Sequence, residues 1–289
     1  TPSLSLKAIA TALQGAEISA LGWLGLAFIL SGLAFKIAAV PFHMWAPDVY
    51  DGAPTPATAF MAVGIKTAAF AALCRVVFLI TKEVALSQET LIQVFEVLAI
   101  LTMLGGNLLA IRQTNLKRML AYSSVAHAGY VLVGVAALIA NPSGTALQGI
   151  AYYLLGYTGM TLGAFGVVIA FERKTTLRQQ LSFESFAGLA QHYPAYGLAM
   201  AFFMFSLAGI PPTAGFFGKL SIFSAAIAAD RVGIVVIAAL SSALGAYYYL
   251  RVTVTMYMQE SLKPREHIAS GWQSSGIWIA AALTLLAGV

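Results

Sequence analysis

The sequence predicts an all-α, polytopic transmembrane helix bundle, and three observations carry that expectation. Of its 289 residues 60% are hydrophobic and 9% charged, too little polar surface to cover a soluble globule of this length. The apolar residues come in runs of about 20, the length of helix that crosses the hydrocarbon core of a bilayer. Those runs are rich in Ala and Leu and lack the alternation of a membrane barrel, which argues against strands.

In chain order, candidate spans lie at 21–40, 57–80, 91–111, 119–139 and 146–171, then a long interrupted one at 195–229, and finally 232–257 and 273–289. That gives about eight spans. Residues 1–20 are too polar to cross and are expected at the interface as an amphipathic turn or helix, and 172–194 is the only sizeable polar stretch. No basic segment with a small-residue cleavage site opens the chain, and its last apolar run continues to Val289, so a longer protein is expected at both ends. Cys74 lies within an apolar run and reads as a small buried thiol.

The net charge of +5 does not point to nucleic acid. The basic residues are scattered singly among apolar runs and form no stripe with interleaved aromatics. They do carry an orientation. Arg112, Lys117, Arg118, Arg173, Lys174, Arg178, Arg251, Lys263 and Arg265 fall on the side of the first inter-helix loop, against Lys7, Arg75, Lys82 and Arg231 on the other. The first loop is therefore expected in the cytoplasm and both ends outside.

Lys36, Lys66 and Lys219 remain, all within spans. A lysine at the bilayer centre costs roughly 2.5 to 3.5 kcal/mol, so three cost about 8 to 10 kcal/mol, comparable with the whole stability of many domains. Two of them accompany helix breaks: "FKIAAVPFHMWAPDVYDGAPTP" follows Lys36 with four prolines, and "LAGIPPTAGFFGKL" sets a proline pair before Lys219. Proline removes a backbone donor, and irregular backbone at membrane depth survives only inside protein or along a watery cavity. A pair of interrupted helices in different halves is also the mark of an inverted-repeat transporter.

Two readings of the lysines stay open. In one, the long side chains snorkel to the headgroups, which Lys36 near its helix end does most easily. In the other they are protonatable sites: burial penalises the charged form of an amine, so a nearby charge can switch such a group between holding and releasing a proton, which arginine cannot do. Of the eleven acidic residues only Glu96 falls within a span, so a carboxylate partner is expected outside this chain. His127, in "AYSSVAHAGY", shares a helix face with Ser123, Ser124 and Tyr130 and is either a relay or a histidine that ties helices together. His43, beside the first break, carries the same two readings, while His192 and His267 are expected in solvent. Metal-ligand spacing, a phosphate-binding glycine loop and an embedded carboxylate pair are all missing from the sequence. The glycines read as close helix packing, and Tyr247 to Tyr249 as an interfacial belt.

The segments "KIAAVPFHMWAPDVYDGAPTPATAF", "NLLAIRQTNLKRMLAYSSVAHAGY" and "SLAGIPPTAGFFGK" closely resemble the N-type antiporter-like membrane subunits of respiratory complex I, the proton-pumping NADH:quinone oxidoreductase. The resemblance covers essentially the whole chain and implies an inverted-repeat antiporter-like fold, with this chain as the seventh to fourteenth of fourteen helices. It implies an outer-side interfacial segment at 1–20, the end of the first antiporter-like repeat at 21–80, the second repeat at 81–257, and a loop with a truncated last helix at 258–289. It also implies that Lys36 is the channel lysine of the broken seventh helix, Lys66 the connecting lysine of the eighth, Lys219 the lysine of the broken twelfth, and His127 a member of the central polar axis. The family's glutamate partner of the first lysine belongs to a helix preceding this chain. Ala46 departs from relatives that carry a hydroxyl residue there. No cofactor is expected in this chain; flavin, iron–sulfur clusters and quinone would belong to other subunits, and the partners would be lipid and other membrane subunits, including adjacent antiporter-like ones. A subunit of a cation/proton antiporter and a non-conducting membrane scaffold are the alternatives.

Overall fold

The computed structural model describes residues 20–83, 88–142, 144–172, 181–260 and 271–288. The first helices are α1 (Ala20–Ile37) and the short α2 (Trp45–Gly52); Thr55–Phe60, a π turn at Met61–Ile65 and Lys66–Glu83 then run on as one helix, α3. They are followed by α4 (Gln88–Ile111), α5 (Leu116–Ala140) and α6 (Gly144–Glu172). The chain ends with α7 (Pro194–Ala208), α8 (Ala214–Ala228), α9 (Val232–Met258) and α10 (Gly271–Leu286). Among the described residues the only β-type pairing is one isolated bridge, Asn115 to Ser182. The segment 1–19 and the charges Lys7, Arg173, Lys174, Arg178, Lys263 and Arg265, with His267, lie outside the described residues, as does the side chain of Lys82.

Both expected breaks are present. α1 stops at Ile37, one residue past Lys36, where Ala38 adopts a left-handed φ of 59°. The chain resumes as a helix only at Trp45, for eight residues. In the second break α7 ends at Ala208, Gly209 turns with a φ of 88°, and Pro211 and Pro212 precede the restart at Ala214.

α5 is the spine. All of its 25 residues except Arg118, Tyr122 and Ala140 are buried. Asn115 starts it by accepting hydrogen bonds from the backbone N–H of Lys117 and Arg118 at 2.8 and 3.1 Å, the usual satisfaction of orphan donors at a helix N-terminus. Small residues let its neighbours approach, as the glycine pattern predicts. A Cβ on Gly106 of α4 would lie 2.5 Å from the Ala126 backbone nitrogen, and one on Gly129 of α5 2.6 Å from that of Met103, so the two helices touch backbone to backbone. Across the second break, a Cβ on Gly215 would meet the Ser206 carbonyl oxygen at 1.7 Å.

Two expectations need correcting. Lys117, counted among the loop charges, is 2% exposed. Its ammonium is drawn in by the Ala53 and Asp51 carbonyl oxygens, at 2.6 and 3.3 Å, and by the Glu172 carboxylate at 3.9 Å. The tyrosine run is not a belt: Tyr247 faces outward, but Tyr248 and Tyr249 are each 1% exposed and turn into the bundle, because consecutive helical residues point about 100° apart.

Candidate functional site

A run of buried polar side chains crosses the bundle around α5. At one end Lys66, the first residue after the π turn of α3, is 3% exposed. Its ammonium donates to the Ser124 carbonyl oxygen and to Ser124 Oγ, both at 2.5 Å. π turns are rare and recur at functional sites. One turn further along α5, His127 is 2% exposed and engaged on both ring nitrogens, Nδ1 with the Tyr153 hydroxyl at 2.6 Å and Nε2 with the Tyr249 hydroxyl at 2.9 Å. Tyr249 also makes a very short hydrogen bond with Ser123.

The run continues through Tyr248, whose ring lies 4.4 Å from that of Tyr249. The Tyr248 hydroxyl donates to Asn107 Oδ1 at 2.8 Å. The amide of Asn107 in turn donates to the Tyr130 hydroxyl at 3.1 Å and to the Ser241 carbonyl oxygen and Oγ at 2.9 and 2.8 Å. Tyr130 presents its ring face to Lys219, with Nζ 5.0 Å from the centroid, the attractive side of the aromatic quadrupole for a cation.

Lys219, 6% exposed, sits on the second turn of α8 and reaches back over the break. It donates to the carbonyl oxygens of Leu207 and Ala208, at 3.2 and 2.8 Å, and to Ser242 Oγ at 2.8 Å. Those carbonyls end α7, where the helix has no further turn to take them up and carries the negative end of its dipole. The break thus creates the acceptors that hold the ammonium.

Among the described residues neither Lys66 nor Lys219 meets a carboxylate. The ion pairs among the described residues join Lys117 to Glu172, Arg118 to Asp48 and Asp51, and Arg231 to Glu89, all near helix ends. Beyond the spans, the two hydrogen bonds to Glu89 hold the Arg231 guanidinium above its ordinary proton affinity. Lys36 lies apart from the run, exposed on the bundle surface with no hydrogen bond or ion pair among the described residues. His43 is 8% exposed, and its Nδ1 is buried without a hydrogen-bond partner among the described residues. Of the sequence candidates the structure therefore joins Lys66, His127 and Lys219, and it adds Asn107, Tyr153, Tyr248, Tyr249 and Ser242. Asn107 left only a weak signal, a side-chain amide inside an apolar run, one turn from the end of α4 and beside two glycines.

Residues 1–245 match the sequence model of the family described as "NADH:quinone oxidoreductase/Mrp antiporter, TM". The chain is 46% identical over 316 residues to the NADH-quinone oxidoreductase subunit N of Myxococcus xanthus, covering 100% of this chain and 60% of the relative. It is 46% identical over 300 residues to the NADH-quinone oxidoreductase subunit N 1 of Sorangium cellulosum, covering 100% of this chain and 58% of the relative. It thus spans less than two thirds of the length of these curated relatives. Its fold matches a chain of respiratory complex I from Thermus thermophilus with a TM-score of 0.81 at 36% identity, over 98% of this chain and 61% of that one. A chain of the Mrp complex from Dietzia is similar in fold, with a TM-score of 0.77 at 24% identity over 97% of this chain and 57% of that one. With two broken helices, a lysine–histidine–lysine run through its core and that match over 245 residues, the chain belongs to the NADH:quinone oxidoreductase/Mrp antiporter family of membrane proteins.

Proposed function

We propose that this chain is a proton-translocating part of a bacterial NADH:quinone oxidoreductase, moving protons through buried lysines with redox energy released elsewhere in the complex. The observation that carries the reading is that Lys66 and Lys219, at either end of one polar run centred on His127, are buried and donate only to neutral groups among the described residues. An ammonium held by carbonyl and hydroxyl dipoles alone, in low dielectric, responds strongly to any charge brought near it, as a switchable proton site requires. A satisfied structural lysine would be paired, as Lys117 is with Glu172.

The chain acts as a non-redox subunit of a translocase. It holds no cofactor; flavin, iron–sulfur clusters and quinone reside in other subunits. Its partners are the other membrane subunits, including adjacent antiporter-like ones, and lipid. It lies in the bacterial inner membrane with the first inter-helix loop cytoplasmic, in keeping with the charge asymmetry of the loops. The Mrp-like fold supports a second reading, a subunit of a cation/proton antiporter. Purification from membranes separates the two: flavin and iron–sulfur subunits accompany the chain in the first, whereas in the second it travels without them and its complex exchanges cations for protons. Within the intact complex, Lys66→Met and Lys219→Met should each lower protons moved per NADH oxidised. Full stoichiometry in both variants would leave a non-conducting scaffold.

A further inference from the structure

We infer that each buried lysine exchanges its proton through a single serine hydroxyl, Ser124 for Lys66 and Ser242 for Lys219. The inference rests on the proton-translocating reading and identifies the atoms at which the proton enters and leaves.

The argument is one of donors and acceptors. An ammonium has three N–H donors and no acceptor, whereas the neutral amine has two donors and a lone pair. Lys219 makes three hydrogen bonds, to the carbonyl oxygens of Leu207 and Ala208 and to Ser242 Oγ. That is the full complement of the charged form. When the proton leaves, one of the three partners must become a donor to the lone pair. Backbone carbonyls only accept. Ser242 alone among the three can reverse its role, and its hydroxyl is already turned to donate, weakly, to the Ala208 carbonyl oxygen at 3.4 Å.

Lys66 shows the same design independently. Its hydrogen-bond partners are one carbonyl and one hydroxyl, both supplied by Ser124. Buried phenols lie close to each pair: Tyr130 presents its ring to Lys219, and near Ser124 are Tyr50 and Tyr157, buried tyrosines of which the second has its ring 5.1 Å from that of His127. The hydroxyl is thus the one exchangeable partner of the amine, with phenols nearby to take the proton on.

The step balances without a co-reactant. A lysine N–H bond breaks as a new O–H bond forms on the serine, and the serine's former proton passes to the neighbouring hydroxyl, which relays in the same way toward water. The serine stays neutral throughout, the lysine becomes a neutral amine, and the O–H bond just formed already donates to Nζ along the line of the former N–H. Recharging the lysine reverses each movement.

The experiment uses the assembled complex of a bacterial relative in vesicles, with matched substitutions at the serine. Threonine and valine have nearly the same shape and differ in the hydroxyl, so Ser242→Thr and Ser242→Val separate hydroxyl chemistry from packing. Ser242→Thr should pump at no less than about half the unsubstituted rate, and Ser242→Val should lose roughly tenfold or more, the low side of what general acid–base groups contribute. The residual rate of Ser242→Thr should keep a solvent deuterium isotope effect. Equal pumping by the two variants overturns the inference, and so does equal loss in both, since the site would then respond to volume. Lys219→Met is run alongside. If that variant pumps normally the proton-translocating reading itself fails; if it is inactive while Ser242→Val is normal, only the serine assignment fails. The pair Ser124→Thr and Ser124→Val repeats the test at Lys66.

Discussion

The ammonium of Lys219 lies 2.8 Å from the carbonyl oxygen of Ala208, the last residue of the half-helix before the break. A lysine of one helix thus closes the end of the helix before it, and the proline pair that makes the break also makes the site.

That contact depends on Gly209. It adopts a φ of 88°, and a Cβ there would lie 3.0 Å from Lys219 Nζ. Gly209→Ala should therefore be strained in the backbone and push the ammonium off its carbonyls, costing on the order of 1–3 kcal/mol. Thermal unfolding of the complex should show the loss, and pumping should fall further than NADH oxidation does. An unchanged melting temperature with normal pumping would refute the contact's importance.

Removing one phenol tests the centre of the run. In Tyr249→Phe the ring keeps its packing while His127 Nε2 and Ser123 lose their shared partner. A buried group left unpaired costs about 1–3 kcal/mol. The expected outcome is a modest drop in stability and a several-fold drop in protons moved per NADH, measured by dye quenching in vesicles. Tyr247→Phe, on the exposed neighbour, is the control and should be silent.

For Lys36, beside the first break, Lys36→Ala should cut pumping and coupled turnover, and Lys36→Arg should keep the charge but release protons poorly, since a guanidinium does not give up its proton near neutral pH. Assembled complexes pumping normally with either residue would falsify a switching role.

Lys66 should behave as a link. Its replacement should impair pumping, and the Lys36/Lys66 double variant should lose less than the two single losses combined, because sites in series share one flux. Strictly additive losses would mean the two lysines work independently.

Much of this arrangement was legible in the sequence, and the exceptions have a common cause. Apolar runs of bilayer length gave the helices, and prolines after "FKIAAV" and "LAGI" gave both breaks, because these are properties of neighbouring residues. Lys66, His127 and Lys219 stood out because an ionisable group in an apolar run carries a large cost on its own. Tyr248, Tyr249 and Asn107 did not, since a tyrosine or a side-chain amide is cheap at a membrane interface and its place in the run is decided by helices far along the chain: Asn107 meets Ser241 and Tyr248. Lys117 was misread for the same reason. Its cradle is the turn at Asp51 and Ala53, which no local pattern connects to it.

The burial of α5 has a mechanical consequence. A helix packed on nearly every side has little room to move one turn independently of the next. Lys117 grips the 51–53 turn at one end, and Tyr130 faces Lys219 thirteen residues on, about 20 Å at the rise of an α-helix. A rigid axial shift of this helix would therefore move Ser124, His127 and Tyr130 together. The turn after the first break and the lysine beside the second are thus both in contact with this one helix.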